Sequence, residues 1–266
     1  MRKDTYHGFS LVELSIVLVI LGLLVGGVLA GQSLIRAAEL RATNTEFQRY
    51  ATAYAAFRDK YLAIPGDMPN ATAFWGINGD ATTCKTTAST TSATCNGNGD
   101  GGIDFGADAA DVSQVHERFS AWKHLSNAGL IEGAYTGVPG PDGPRDVVIG
   151  GNSPRSRLTN AGWSAAMRTS AISDTNWYLA RAGNFLLFGG ETGTAANWGG
   201  VLKPEEAWNI DVKMDDGRPS YGRIVSLKPA PSTLMPNCAT NATEASAEYA
   251  LTNATLACGL IQYLPF

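Results

Sequence analysis

The chain has 266 residues, 44% of them apolar and 17% charged, enough for one large domain or two small ones with a sizeable core. Its net charge of -4 argues against a basic surface that coats nucleic acid. Thirty glycines and twelve prolines predict a loop-rich body.

The N-terminus opens with a basic pair, Arg2 and Lys3. No charge occurs from Leu14 to Gly31, a run about 27 Å long as a helix. That is close to the shortest length that spans a bilayer core. The basic flank belongs on the cytoplasmic side, so the remainder of the chain faces outward. An ordinary cleaved signal peptide is the alternative, with a small-residue site at Val28-Leu29-Ala30. Against it, the apolar run exceeds the usual length of about 7–15 residues, and the helical pattern continues past Ala30. No proline lies between Phe9 and Ile64. Phe47, Tyr50, Tyr54, Phe57 and Tyr61 recur at alternating intervals of three and four, one stripe of a helix. Pro65-Gly66 stops it. The pattern predicts one helix of about 55 residues, roughly 80 Å long. Its first half would cross a membrane and its second, amphipathic half would pack on a soluble domain.

The stretch Gly8-Phe9-Ser10-Leu11-Val12-Glu13, after a short basic leader and before the apolar run, resembles the processing motif of type IV pilins and type II secretion pseudopilins. The specific resemblance covers about residues 1–35, and the long-helix layout extends it to about Asp67. It implies that a membrane aspartyl protease, the prepilin peptidase, cuts between Gly8 and Phe9 and that Phe9 is N-methylated. It divides the chain into a leader (1–8), an apolar transmembrane and assembly helix (9–35), and a periplasmic or extracellular body (36–266) that includes the amphipathic half of the helix. The implied partners are other pilin or pseudopilin subunits, the prepilin peptidase, the inner-membrane assembly machinery and, before assembly, the lipid bilayer. No nucleic acid is expected. A charge on a membrane helix costs about 3 kcal/mol at the bilayer centre, so Glu13 is a functional candidate. By resemblance, Glu13 pairs with the N-terminal ammonium of a neighbouring subunit. At about 4 Å and an effective dielectric near 20 that attraction is about 4 kcal/mol before desolvation. The alternatives are pairing with the amine of its own Phe9 or a place at the interface. Gly22, Gly26, Gly27 and Gly31 form overlapping GxxxG spacings, read either as close helix packing or as local helix weakness. Many type IV pilins carry a helix-breaking proline where this chain has Ala30.

Beyond Asp67 the composition changes. Residues 69–76 read as a short helical turn, and the Thr/Ser/Ala-rich stretch 81–95 as a loop. The four cysteines, Cys84, Cys95, Cys238 and Cys258, contain no CxxC pair and point to disulfides formed in an oxidising compartment. Three connectivities are possible; the local pairs Cys84–Cys95 and Cys238–Cys258 are the simplest. Buried thiols are the alternative. Asn96, Asn98 and Asp100, followed by Gly101 and Ile103, match the first half of an EF-hand calcium loop. The Gly102 carbonyl and Asp104 would supply further ligands. Position 12 is Ala107 rather than glutamate, leaving Asp108, Asp111 or Glu117 to complete a shell. The alternative is a metal-free turn.

Residues 111–128 read as an amphipathic helix capped by Asp111 or Ser113, stopped by Gly129, with Val115, Phe119, Trp122 and Leu125 inward and His116 and His124 on the surface. Short strands are expected at 146–149, 177–180, 185–188, 224–227 and 256–263. Lys203-Pro204-Glu205-Glu206 opens a helix that runs to about Met214, with proline at N1 and acids in the first turn. Asp215-Asp216-Gly217 then turns the chain. Asp211 and Asp215 are one turn apart, read as helix-end solvation with a bound cation as the alternative. Hairpin-like strands after a long helix predict an α+β fold, an antiparallel sheet packed on the helix with additional short helices.

The sequence contains no GxSxG, HExxH or P-loop motif. The expected function is a structural subunit rather than an enzyme. A minor pilin with an adhesive or tip role, or an exported binding module, is the alternative.

Overall fold

One helix, α1, runs without a break from Leu11 to Tyr61. The computed structural model describes residues 10–81, 83–104, 116–168, 178, 181–193, 196–228 and 237–266. Every residue of α1 from Leu11 to Ala30 is exposed, and none of its glycines interrupts it. Burial begins in the second half, where Thr43, Glu46, Phe47, Tyr50, Ala53, Tyr54 and Phe57 turn one face toward the body. These positions repeat at three and four residues, the spacing expected for a helix with one packed face. The helix stops at Leu62, which takes a left-handed conformation (φ 53°) and donates its N–H to the Arg58 carbonyl at 2.8 Å. Gly66 follows with φ 95°, and its Cα lies too close to the Glu117 carbonyl for a side chain. Only glycine meets both demands at little cost.

Short helices α2 (Ala71–Trp75), α3 (Glu117–Asn127) and α4 (Pro204–Met214) surround an antiparallel sheet. Its strands are β1 (Gly162–Arg168), β2 (Gly183–Gly189), β3 (Ile224–Val225) and β4 (Leu260–Tyr263), in the order β1-β2-β4-β3. The alternation of a strand puts Trp163, Ala165, Leu186, Phe188 and Leu260 in the core that contains α1. Ala166, Phe185, Leu187, Val225, Ile261 and Tyr263 pack in a second cluster with Ala196, Trp198 and Leu227. Both faces are thus covered, which is why Phe185-Leu186-Leu187-Phe188 shows no polar alternation. Tyr50 meets Trp122 and Trp163 edge-on, with ring centroids 5.2 and 5.6 Å apart. Such pairs each add about 0.5–1.5 kcal/mol beyond the area they bury. Glu46 fixes the register of helix against sheet: its carboxylate accepts the Trp163 indole N–H at 2.9 Å and the Arg157 backbone N–H at 2.8 Å.

The α+β architecture and the local disulfides, Cys84–Cys95 and Cys238–Cys258, agree with the expectations from sequence. Other expectations are corrected. His116 and His124 are buried, not surface residues. Helix α3 is buried on all sides from Glu117 to Leu125, because loops 66–67, 94–104 and 135–137 wrap its polar face and hydrogen-bond to it. Its expected caps, Asp111 and Ser113, lie outside the described residues. No strand forms over 146–149; Ile149 makes only an isolated bridge with Ser153. Asp146 instead donates its N–H to Gly143 and accepts from Gly140, folding that segment into a turn. Of the strand expected at 177–180, only Tyr178 lies within the described residues. The two last strands are shorter than expected, at Ile224–Val225 and Leu260–Tyr263.

Candidate functional site

The N-terminal rod carries the first candidate. Gly8 and Phe9 lie outside the described residues. Ser10 is the N-cap of α1 and Glu13 its N3 residue, joined in a capping box. The Ser10 N–H donates to Glu13 Oε2 at 2.8 Å, and the Glu13 N–H donates to Ser10 Oγ at 3.3 Å. Two orphan amides at the helix start are satisfied, and the carboxylate sits where the helix dipole favours an anion. Within one chain, Glu13 therefore serves its own helix start. From Leu14 to Ala30 every residue is exposed, and none of the described residues of the body covers them. The helix is long and apolar enough to cross a membrane.

Sequence reasoning missed the joint between rod and body. The Arg36 guanidinium forms a bidentate pair with Glu206 (Nε to Oε1 2.7 Å, Nη2 to Oε2 2.6 Å) and also donates to the Val201 carbonyl at 3.0 Å. Hydrogen bonding to Glu206 raises the Arg36 pKa. Burial alone would push the Glu206 carboxyl up, but the bonds from Arg36 and the Lys203 N–H hold it below its ordinary value. Glu206 thus both closes the first turn of α4 and holds the rod. The available signal was its N3 position behind Pro204; nothing in the sequence paired it with Arg36.

The candidate calcium loop is organised by two buried carboxylates. Asp67 Oδ1 accepts the N–H groups of Gly99 (2.6 Å) and Asp100 (3.0 Å), and Oδ2 accepts that of Gly101 (3.0 Å). Glu117 accepts the N–H of Asn98 at 2.8 Å and of Asp104 at 3.1 Å. Glu117, one of the three acids expected to complete the shell, thus reaches the loop through backbone amides. Burial drives its pKa up to about 7 and raises those of Asp67 and Asp104. Asn98 Nδ2 donates to Asp100 Oδ2 and to Asp104 Oδ2, each at 3.1 Å, so these two carboxylates converge. Asn96 is drawn away, its Oδ1 accepting the Thr72 N–H at 2.8 Å, while Gly102 donates its N–H to Asp100 Oδ1. Asp100, Asp104 and the Asn98 amide are the part of the expected ligand set that the fold brings together. The hard oxygen chemistry of these groups suits calcium.

A second acidic group comprises Asp211, Asp215 and Asp216, whose carboxylate oxygens lie within 4.8 Å of one another. Each is already engaged. Asp211 accepts from the Tyr249 hydroxyl (2.8 Å) and the Gly217 N–H; Asp215 accepts the N–H groups of Arg223 and Ile224; Asp216 accepts that of Arg218. These bonds close the C-terminal end of α4 and the turn after it.

A family model described as the prokaryotic N-terminal methylation motif matches residues 4–29. That motif is the signature of type IV pilins and pseudopilins. Residues 4–29 thus carry a type IV pilin-like methylation motif at the head of the long helix and α+β body described above. No curated protein and no solved structure matches it.

Proposed function

We propose that the chain is a structural subunit of a type IV pilus or a type II secretion pseudopilus. Its rod first anchors it in the inner membrane, with Arg2 and Lys3 in the cytoplasm and the body outside. Prepilin peptidase cuts between Gly8 and Phe9 and methylates Phe9. The subunit then enters a filament, exchanging lipid around α1 for the rods of other subunits. The observation that supports this reading is the bare rod: apolar and exposed on all sides from Leu14 to Ala30, it is covered by none of the described residues and requires an apolar environment. Glu13 would leave its capping box to meet the Phe9 ammonium of a neighbour. A misplaced subunit would leave a carboxylate unpaired in an apolar setting, which sets register.

Mass spectrometry of the mature chain tests processing: N-methyl-Phe9 is expected, and a terminus at Gly31 would refute it. Glu13→Ala is expected to preserve membrane insertion, read by alkaline extraction, and to cut incorporation into sheared filaments at least tenfold. Normal incorporation would overturn the pairing.

We further propose that the 96–104 loop binds calcium through Asp100 and Asp104, with the Asn98 side-chain oxygen joining them once its amide, whose Nδ2 here faces both carboxylates, turns over. Four carboxylates (Asp67, Asp100, Asp104 and Glu117) gather at this loop, and a divalent cation would offset their repulsion. Calcium at 100 times its Kd adds about 2.7 kcal/mol to stability. The full chain in detergent is expected to melt several degrees higher in millimolar calcium than in chelator, and Asp100→Ala to lose that shift. An unshifted parent protein would remove the proposal.

A further inference from the structure

One side of α4 borders a cavity of about 360 Å³, within the size range of small-molecule sites. Trp208, Gly217, Arg218, Glu248, Tyr249 and Leu251 line it. Its walls come from α4, the turn after it and the 245–251 stretch, and bonds behind the cavity tie these together. Asp211, buried in α4, accepts the Tyr249 hydroxyl at 2.8 Å and the Gly217 N–H at 3.1 Å. Arg218 Nη2 donates to the Ala245 carbonyl at 3.1 Å, and the guanidinium lies over the Tyr221 ring at 4.7 Å. The cavity is therefore set in place before anything enters it.

The lining combines groups that do not satisfy one another. Trp208 is 37% and Leu251 50% exposed, so both remain within reach of a ligand. The Trp208 Nε1 stands 3.4 Å from where a Gly217 side chain would begin. Among the described residues, nothing accepts that indole N–H and nothing pairs with the exposed Glu248 carboxylate. Arg218 has N–H groups to spare beyond its bond to Ala245. These groups narrow the occupant. An anion would lie against Glu248, and a cation against Arg218. An apolar molecule would take both charges out of water and leave them unpaired. A neutral molecule with adjacent hydroxyls and one apolar face answers every group, because a hydroxyl both donates and accepts.

We propose that this cavity is a saccharide site. It takes a neutral pyranose ring with its C–H face on the Trp208 indole and adjacent hydroxyls shared between Glu248 and Arg218. The bare indole and the unpaired carboxylate thereby gain a common partner. The site belongs to the body alone and does not depend on the filament reading.

The test uses the full chain in a detergent with no sugar headgroup. The probes are methyl glucoside, methyl galactoside, methyl mannoside and N-acetylglucosamine at millimolar concentration. Saturation-transfer NMR is expected to mark the ring C–H protons of at least one of them. Trp208→Ala removes the apolar wall, and Glu248→Gln removes the charge of an exposed side chain while keeping its shape. Each is expected to weaken that binding roughly tenfold or more, and Glu248→Gln to keep the melting temperature of the parent. Transfer to none of the four sugars, or transfer undiminished in either variant, would overturn the site. Stronger transfer to a capped Gly-Ser-Gly peptide, lost in the same variants, would show that the cavity takes a peptide backbone and would overturn the saccharide assignment.

Discussion

At the scale of single residues, His124 shows how burial decides chemistry. Its Nδ1 accepts the Gly66 N–H at 3.0 Å, which puts the ring proton on Nε2, facing Thr94 Oγ1 at 3.0 Å. A protonated ring could not accept from Gly66. Burial lowers its pKa to about 3, and the nearby charges of His116 and Lys123 act in the same direction. A base with a depressed folded pKa contributes stability that is complete above its ordinary value of 6.5 and is lost as pH falls toward 3. Glu117 and Asp211 act oppositely: burial raises both to about 7, so folding gains as pH falls from 7 toward the ordinary carboxylate range. Between pH 6.5 and 4.5 the two carboxylates outweigh the one histidine by about 1.4 kcal/mol per pH unit. Below the ordinary value of Asp211, 3.8, the histidine acts alone. The melting temperature of the detergent-solubilised chain should rise as pH falls from 7 to about 4.5 and then fall below about 4. His124→Asn, whose carbonyl can still accept from Gly66, should start about 2 kcal/mol less stable and lose that steep acid limb. An unchanged limb would show that another group titrates there. Sequence reading put this histidine on the surface because two histidines eight apart carry no sign of what covers them. The covering segments come from positions 66 and 94, far along the chain.

At the scale of elements, the rod was legible and the sheet only in part. A proline-free run with aromatic residues every three or four positions specifies a helix by itself, and Pro65-Gly66 specifies its end. β1 escaped because Gly162-Trp163-Ser164-Ala165-Ala166-Met167-Arg168 has small residues on both faces. Its strand character comes from pairing with β2 rather than from its own side chains. The candidate calcium loop was readable as a pattern of oxygens, but Asp67, which holds three of its amides, lies some thirty residues upstream. The same limit hid the Arg36–Glu206 pair, 170 residues apart. A bidentate, partly buried ion pair of this kind couples its partners by about 1.5–3 kcal/mol. A double-mutant cycle of Arg36→Ala and Glu206→Ala, read by hydrogen exchange along α1, is expected to show that coupling over residues 36–42. Protection at Phe47–Phe57, buried against Trp122 and Trp163, should be unchanged. Equal loss of protection along the whole helix would mean that rod and body open as one unit.

At the scale of the whole molecule, the order of the sheet makes the last residues central. β4 lies between β2 and β3, so the sheet closes only once Leu260–Tyr263 is in place, while α1 is a local structure that needs none of it. Anchor and body can therefore form separately, joined at Arg36 and along the face from Thr43 to Phe57. Cys238–Cys258 ties the incoming strand to a nearby loop, with both sulfurs buried, and closes a loop of sequence separation 20. Loop-closure entropy for a ring of that size is about 3 kcal/mol. Cys84–Cys95 closes a separation of 11 and by the same relation is worth nearly as much, but it lies next to the 96–104 loop rather than the sheet. The paired alanine variants should separate the two. Cys238→Ala with Cys258→Ala is expected to lower the urea midpoint of the near-UV signal, which reports the packed aromatic core, by the equivalent of about 3 kcal/mol. Cys84→Ala with Cys95→Ala should lower stability and weaken the calcium binding proposed for the adjacent loop. Neither pair should release the chain from the proposed membrane anchor, because the Leu14–Ala30 segment is exposed and not covered by any described residue of the body. Loss of membrane retention in either variant would show that rod and body form as a single unit, contrary to the independence their contacts imply.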